Sequence, residues 1–111
     1  MELREETVGE VTVLEVKGRV DSTSAPALGE QLLGALASAQ RRLVLDLRLL
    51  EYISSAGFRA LLLAAKRAED TGSRLVLCGV SGKVRQLFDL GGFLDLFTVS
   101  PTRDEAIAAL R

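Results

Sequence analysis

Short apolar runs alternate with amphipathic segments along most of the chain. The runs at residues 11–16, 43–47 and 74–79 have the length and apolar character of buried β-strands. A less regular strand is predicted at residues 3–8, and a last short one at residues 97–99. The pattern therefore predicts four or five strands separated by longer segments of a different period.

Those longer segments have the apolar spacing of helices. Each begins near residues that cap helix N-termini, at 22–24, 54–55, 81 and 102, and a capping box is predicted at residues 102–105. Gly72 and the pair Gly91 and Gly92 suit helix ends. The positions expected to face the core are Leu28, Leu32, Ala35, Leu36 and Ala39, then Phe58, Leu61, Leu62 and Ala65, then Val84, Leu87 and Phe88, and last Ala106, Ile107 and Leu110.

The order of these elements predicts the fold class. Strand–helix–strand connections of this length imply parallel pairing in a sheet covered by helices. Gly9, in a tight turn between residues 8 and 11, adds an antiparallel first strand, and Gly18 is expected to end the second strand. We predict one α/β domain over residues 1–111, with a mixed sheet of four or five strands and about four helices.

Charge and length exclude several classes of protein. The chain has 111 residues, of which 48% are hydrophobic and 26% charged, as in a globular domain. Its 14 basic and 15 acidic residues give a formal net charge of −1, which argues against direct nucleic-acid binding and against a polybasic membrane anchor. No apolar run approaches the roughly 20 residues of a membrane helix, and the N-terminus lacks a signal-peptide core. We expect a cytoplasmic protein.

Residues that carry out enzyme chemistry are scarce. The chain has no histidine, so a Ser-His-Asp triad and a histidine metal site are excluded. It has no phosphate-binding loop and no dinucleotide motif. Its one cysteine, Cys78, lies in an apolar run and is expected to be a buried, inert thiol. We therefore expect no enzymatic activity, no catalytic residues, no metal and no cofactor.

Two polar segments remain as candidate binding positions, each at the start of a helix. In the first, Ser54, Ser55, Ala56 and Gly57 combine hydroxyls with small residues that let another molecule approach closely. The plain alternative is that a serine only caps the helix. On that interpretation, Ser55→Ala removes one helix cap. In the second, residues 18–24, an acidic residue and three hydroxyls lead into the first helix, and an Asx-type turn with a cap is the corresponding alternative. Both segments should follow parallel strands, at the edge where such sheets bind ligands.

The order of several motifs resembles that of a known family. They are Gly18-Arg19-Val20-Asp21, Leu43-Val44-Leu45-Asp46-Leu47, Tyr52-Ile53-Ser54-Ser55-Ala56-Gly57 and the stretch from Val84 to Phe93. Together they resemble a stand-alone STAS domain, of the sulphate transporter and anti-sigma factor antagonist family, and most of all the bacterial anti-sigma factor antagonists. The resemblance covers nearly the whole chain.

The resemblance implies partner switching. An unmodified antagonist binds an anti-sigma factor that is also a serine kinase, which frees the sigma factor. The kinase phosphorylates a serine at the start of the second helix, and a serine phosphatase reverses the modification. The matching position here is Ser55. The family often has Asp-Ser-Ser/Thr-Gly, whereas Ser54 and Ala56 stand here for the acidic residue and the second hydroxyl, which makes Ser54 a second candidate acceptor.

The partner surface is expected around these two segments. Asp21 matches an acidic residue of the family's partner surface, and Arg59 is the predicted polar anchor because arginine is enriched at binding hot spots. The alternative function is a STAS subunit with a structural role in a transporter-associated or sensory complex, without a phosphate cycle. The residues expected to contact the partner are Asp21, Ser22, Thr23, Ser24, Ser54, Ala56, Gly57 and Arg59.

Overall fold

The structure, a computed structural model, describes residues 1–38 and 41–111. Strands and helices alternate over this part of the chain, with a short 3₁₀ turn at Leu94–Leu96. The elements are β1 (Glu2–Val8), β2 (Val11–Val20), α1 (Ala25–Leu36), β3 (Arg42–Asp46), β4 (Leu50–Ile53), α2 (Ser55–Thr71), β5 (Arg74–Cys78), α3 (Gly82–Gly91), β6 (Thr98–Ser100) and α4 (Arg103–Ala109).

The strands form one mixed sheet in the order β1-β2-β3-β5-β6, with β4 also paired to β2. β1 is antiparallel to β2, and the other pairs are parallel. The α/β class, the parallel pairing of β2 with β3 and the first hairpin are confirmed. The described residues contain one strand more than the predicted four or five, because Leu50–Ile53 forms β4.

The second strand is longer than the sequence predicts. Gly18 was expected to end it, but β2 continues to Val20. The register against β4 shifts between Gly18 and Arg19, so the chain accommodates an irregularity there without leaving the sheet. β3 pairs with the first half of β2 and β4 with its last residues. This extension brings the end of β2 beside the end of β4.

Side chains of successive strand residues alternate between two cores. Leu14, Leu45 and Leu77 align across β2, β3 and β5 and are fully buried with residues of α1, α2 and α3. The next row lies on the other face, under α4; it comprises Val13, Val44 and Val76, with Cys78 beside it. Apolar side chains that fill both faces explain why these strands read as continuous apolar runs.

Helix packing follows the predicted stripes except in α2 and at Leu87 of α3, which is half-buried. In α1 the expected positions at 28, 32, 35 and 36 are buried, and Ala39 lies outside the described residues. In α2, Phe58 and Leu61 are buried as expected. The rest of its buried stripe, however, is made by Ala64 and Ala68 instead of the predicted Leu62 and Ala65, which are half-buried. Small residues at these two positions allow α2 to lie close to the sheet.

Cys78 is a buried thiol, as the sequence predicts. It is fully buried, and this burial, helped by the nearby Asp46 carboxylate, raises the pKa of the thiol to about 12. The thiol therefore stays protonated at neutral pH and is a poor nucleophile.

An ionic cluster attaches α4 to the sheet. Asp46, 1% exposed at the end of β3, accepts a hydrogen bond from Arg103 Nε at 3.2 Å and one from the Arg48 backbone N–H at 3.0 Å. Arg103 also pairs with Glu6 and, at 3.6 Å, with Glu15. One arginine at the first position of α4 thus pairs with carboxylates from three strands.

Truncation of Leu45 tests the core. We expect Leu45→Ala to lower the free energy of unfolding by about 2–5 kcal/mol, because a buried leucine loses its transfer energy and leaves a cavity. Leu90→Ala is the control, since Leu90 is 85% exposed, and it should change stability little. Urea unfolding of both variants measures the difference. Equal costs would contradict the position of Leu45 in the core.

Removal of the arginine tests the ionic cluster. Arg103→Gln should destabilise the protein by about 1–3 kcal/mol, because it leaves the buried Asp46 carboxylate without its cation. Arg42→Gln is the matched control: Arg42 pairs at 2.7 Å with Glu10, whose side chain is 80% exposed, and an exposed pair contributes about 0–1 kcal/mol. Thermal and urea unfolding should rank the two variants in this order. The reverse order would show that Asp46 does not depend on Arg103.

Candidate functional site

The ends of two parallel strands bring the predicted segments together. Val20 and Ile53 are register partners at the ends of β2 and β4. Immediately after them, the Ser54 N–H donates to the Val20 carbonyl oxygen at 2.8 Å. Residues 21–24, which we call the acidic loop, therefore begin directly beside the start of α2. The sequence placed both segments at the same edge of the sheet, and the structure makes them neighbours.

The acidic loop is held by its own side chains. Asp21 Oδ1 accepts hydrogen bonds from the backbone N–H groups of Thr23 and Ser24, at 2.9 and 3.0 Å, and from the Ser24 hydroxyl at 3.2 Å. Ser24 Oγ in turn accepts from the Asp21 N–H at 3.0 Å. The backbone and side-chain hydrogen bonds from Ser24 lower the pKa of Asp21. The Asx-type turn is thus present, and the loop is shaped before any partner arrives.

These contacts change the expected role of the loop serines. Ser24 occupies the N-cap position of α1, but its side chain makes no cap hydrogen bond to the helix and binds Asp21 instead. Asp21, Ser22 and Thr23 are exposed, and Ser24 is half-buried. The loop therefore presents to solvent the Asp21 carboxylate and the Ser22 and Thr23 hydroxyls, which make no hydrogen bond within the described residues.

The start of α2 assigns different positions to its two serines. Ser54 is the N-cap residue, and its Oγ accepts a hydrogen bond from the Gly57 N–H at 3.2 Å. Ser55 is the first helical residue and is exposed. Its hydroxyl makes no hydrogen bond within the described part of the chain. The expectation that Ser55 caps the helix is therefore wrong, because Ser54 fills that role and leaves the Ser55 hydroxyl free.

Gly57 is required by close packing at this junction. The residue is buried. A Cβ atom there would lie 2.5 Å from Ile53 Cγ1 and 2.9 Å from Val20 Cγ1, distances that real Cβ contacts do not reach. Glycine thus lets the first turn of α2 rest on the ends of β2 and β4. Gly57 therefore determines how α2 meets the sheet, but it is buried and is not itself exposed beside Ser55.

A groove between α1 and α2 adjoins these residues. Its volume is about 290 Å³, and its lining is mainly apolar. The helices approach closely at Gly29, where a Cβ atom would lie 3.7 Å from the Ala60 Cβ. Arg59 and Ser22 also line it, and within the described residues Arg59 has no salt-bridge partner. The apolar lining includes Pro26, Gly29, Leu33, Ala56, Ala60 and Leu63.

Arg19 forms a second feature that sequence reasoning missed. It pairs with Tyr52 across β2 and β4, and its guanidinium carbon lies 4.5 Å from the centre of the Tyr52 ring. This distance is in the range of a cation–π contact. Arg19 is thereby held over a neighbouring ring, in contrast to Arg59. The signal in the sequence was weak, because only the unexpected strand β4 makes the two residues neighbours.

Comparison with known proteins assigns the family. Residues 2–106 match the family model of the STAS domain. This chain belongs to the STAS domain family. It is 38% identical over 111 residues to a protein of Bordetella bronchiseptica named "Putative anti-sigma factor antagonist BtrV", with 100% of this chain and 96% of that protein covered. The STAS domain described here is thus a member of the anti-sigma factor antagonist family, and the resemblance indicated by the motifs is confirmed.

Solved STAS structures share the architecture. An anti-sigma factor antagonist from Mycobacterium paratuberculosis superimposes with a TM-score of 0.88 at 26% identity, covering 99% of this chain and 93% of that one. The Bacillus cell fate determinant SpoIIAA in its phosphorylated form gives a TM-score of 0.74 at 20% identity, covering 99% of this chain and 100% of that one. The second likeness shows the common fold only.

The described residues hold neither a group of metal-ligating side chains nor a membrane-spanning helix. Residues 1–38 and 41–111 of this STAS domain contain no group of three or more Cys, Asp or Glu side chains placed to hold a metal ion. Over the same residues, no helix combines the length and apolar character needed to cross a membrane.

The two serines give a stability test of the site geometry. Ser54→Ala should lower the free energy of unfolding by about 0.5–2 kcal/mol, because the Gly57 N–H loses its acceptor at the helix start. Ser55→Ala should leave stability nearly unchanged, since the Ser55 hydroxyl has no partner in the described structure. Urea unfolding of the two matched variants checks this. A larger loss for Ser55→Ala would contradict the assignment of Ser54 as the cap.

Proposed function

We propose that this STAS domain is a phosphorylation-controlled antagonist of an anti-sigma factor with serine-kinase activity. In its unmodified state it binds the kinase and frees the sigma factor. Phosphorylation of Ser55 ends this binding, and a serine phosphatase restores it. The whole cycle is proposed to take place in the cytoplasm. The kinase, and not this domain, binds the ATP that donates the phosphate.

The exposed, unpartnered hydroxyl of Ser55 is the observation that supports this proposal most. A kinase must reach the hydroxyl oxygen of its substrate, and the Ser55 side chain is open to solvent at the first position of α2. Ser54, by contrast, is half-buried and already accepts the Gly57 N–H. Of the two candidate acceptors, Ser55 is the one that can be modified without breaking a hydrogen bond of the fold.

Electrostatics favour a switch that acts on the interface while the fold stays intact. A phosphate adds about −1.5 to −2 charges at neutral pH. At the start of a helix such a charge is stabilised by the helix dipole and by free N–H groups. The acidic loop, however, begins beside the start of α2. A partner surface that accepts the Asp21 carboxylate next to a neutral hydroxyl would meet a much more negative patch after phosphorylation.

Kinase labelling tests the acceptor assignment. Each anti-sigma factor kinase encoded in the source genome is incubated with the protein and ATP, followed by intact-mass measurement and fragment-ion site assignment. We expect one added phosphate in the unaltered protein and in Ser54→Ala, and none in Ser55→Ala. Phosphate on Ser54 alone would reject Ser55 as the acceptor. Absence of labelling by every such kinase would favour a non-cycling STAS subunit of a larger complex.

Pull-down with the same kinases tests the switch. Ser55→Ala should bind the kinase persistently in the presence of ATP, because it cannot be phosphorylated. Ser55→Asp should fold, since a carboxylate suits a helix N-terminus, but should bind more weakly. One carboxylate carries less charge and bulk than phosphate, so its effect should be smaller than that of phosphorylation. Equal binding by the unaltered, Ser55→Asp and phosphorylated proteins would contradict the proposal.

A further inference from the structure

Arg59 lies where it can respond to the state of Ser55. The two residues are separated by four positions in α2, and side chains at this spacing are neighbours on a helix, with about 5–6 Å between their Cβ atoms. Both are exposed. Arg59 also borders the groove between α1 and α2, together with Ala56, Ala60 and Leu63 of the same helix. It therefore stands between the proposed modification site and the apolar groove.

The charge of Arg59 is uncommitted in this structure. The described residues include no carboxylate within salt-bridge distance of its guanidinium. Arg19, the other arginine near the site, is held over the Tyr52 ring at 4.5 Å. Among the described residues near Ser55, Arg59 is thus a cation that is free to pair with an incoming anion.

We propose that phosphorylated Ser55 binds the Arg59 guanidinium across one turn of α2 and thereby removes Arg59 from the groove. In the unmodified protein, the groove takes an apolar side chain of the kinase, and Arg59 pairs with a carboxylate of the kinase beside it. Complementarity supports this occupant. The unpaired Arg59 cation suits a carboxylate of the kinase, and the apolar lining beside it suits an apolar side chain. The inference rests on the proposed function, in which Ser55 is the phosphoacceptor.

The chemistry of the two groups suits this contact. A guanidinium offers planar, forked N–H donors that match two phosphate oxygens. The anion precedes the cation by four residues, which is the favourable order on a helix. The same phosphate would lie near Asp21 on the adjoining loop, so pairing with Arg59 also offsets repulsion between like charges. Phosphorylation would then act twice on a partner, by adding negative charge and by withdrawing the arginine.

A phosphate titration tests the contact without any kinase. Phosphoserine is incorporated at position 55 during translation, and its second ionisation, with a pKa of about 6 when unperturbed, is followed by ³¹P NMR. A nearby cation stabilises the dianion and lowers this pKa. We therefore expect Arg59→Gln to raise it by about 0.3 unit, the shift that corresponds to an i,i+4 ion pair.

Arg67→Gln is the matched control for this titration. Arg67 is an exposed arginine of the same helix, twelve residues beyond Ser55, so its removal changes the net charge equally without removing a neighbour of the phosphate. Its shift should be clearly smaller than that of Arg59→Gln. Equal shifts in the two variants would overturn the proposal. Circular dichroism and thermal unfolding check that both variants are folded, which we expect because both side chains are exposed.

Kinase binding tests the consequence for the groove. With a kinase that labels Ser55, Arg59→Gln should weaken binding of the unmodified protein by about tenfold, the effect of losing a moderate hot-spot contact. It should also reduce the ratio between the affinities of the unmodified and phosphorylated forms. An unchanged ratio would overturn the coupling.

The two arms separate this inference from the proposed function. If no kinase labels Ser55, the proposed function fails, and the titration still decides whether the Arg59 contact exists. If a kinase labels Ser55 and the titration shows no special effect of Arg59, only the present inference falls.

Discussion

The junction between the ends of β2 and β4 is the constraint on which the rest of the candidate site depends. There the Ser54 N–H binds the Val20 carbonyl oxygen at 2.8 Å, and Gly57 lets the first turn of α2 rest on Val20 and Ile53. Because both strands are parallel and end together, the chain leaves them in two adjacent segments. One becomes the acidic loop and the other the start of α2. The pairing of β2 with β4 and the Ser54–Val20 hydrogen bond therefore fix the distance between them.

The rigidity of this junction matters because partner binding at this surface is proposed to depend on the state of one hydroxyl group, that of Ser55. The Asp21 side chain is held by three hydrogen bonds within the loop, and the Ser54 side chain by one to the helix. Side chains that are already fixed lose little conformational entropy when a partner binds. The side chains of Ser55 and Arg59 differ, because neither makes a hydrogen bond or salt bridge within the described residues, and the Ser22 and Thr23 hydroxyls of the acidic loop are likewise unpaired there. The groups without internal partners thus lie on the exposed start of α2 and on the loop beside it.

The sequence predicted the long apolar strands and the helices of this fold better than it predicted the short strand β4. Apolar runs such as residues 43–47 predict buried strands because both sheet faces are covered, and Leu45 and Val44 fill opposite cores. The strand at Leu50–Ile53 was missed because it is four residues long, and its pairing depends on the continuation of β2 past Gly18. Local pattern carries no information about such a long-range pairing.

The candidate site shows the same division between local and long-range information. Hydroxyls and small residues before an amphipathic run predicted a helix start with an accessible serine. They could not tell which serine caps the helix, because that depends on how β4 delivers the backbone into α2. Nor could they predict the α1–α2 groove, since Gly29 and Ala60 become neighbours only after the two helices pack on the sheet.

The assignment of the cap to Ser54 separates the proposed switch from the stability of the fold. If the modified residue were the cap, phosphorylation would remove a hydrogen bond from the helix, and part of its effect would be local unfolding. Here the Gly57 N–H keeps its acceptor whatever happens at Ser55, and the core row that contains Leu45 and Leu77 is fully buried. A charge added at Ser55 therefore acts on groups that the fold does not need. The modification proposed for this STAS domain would therefore change its surface charge without removing a hydrogen bond of the fold.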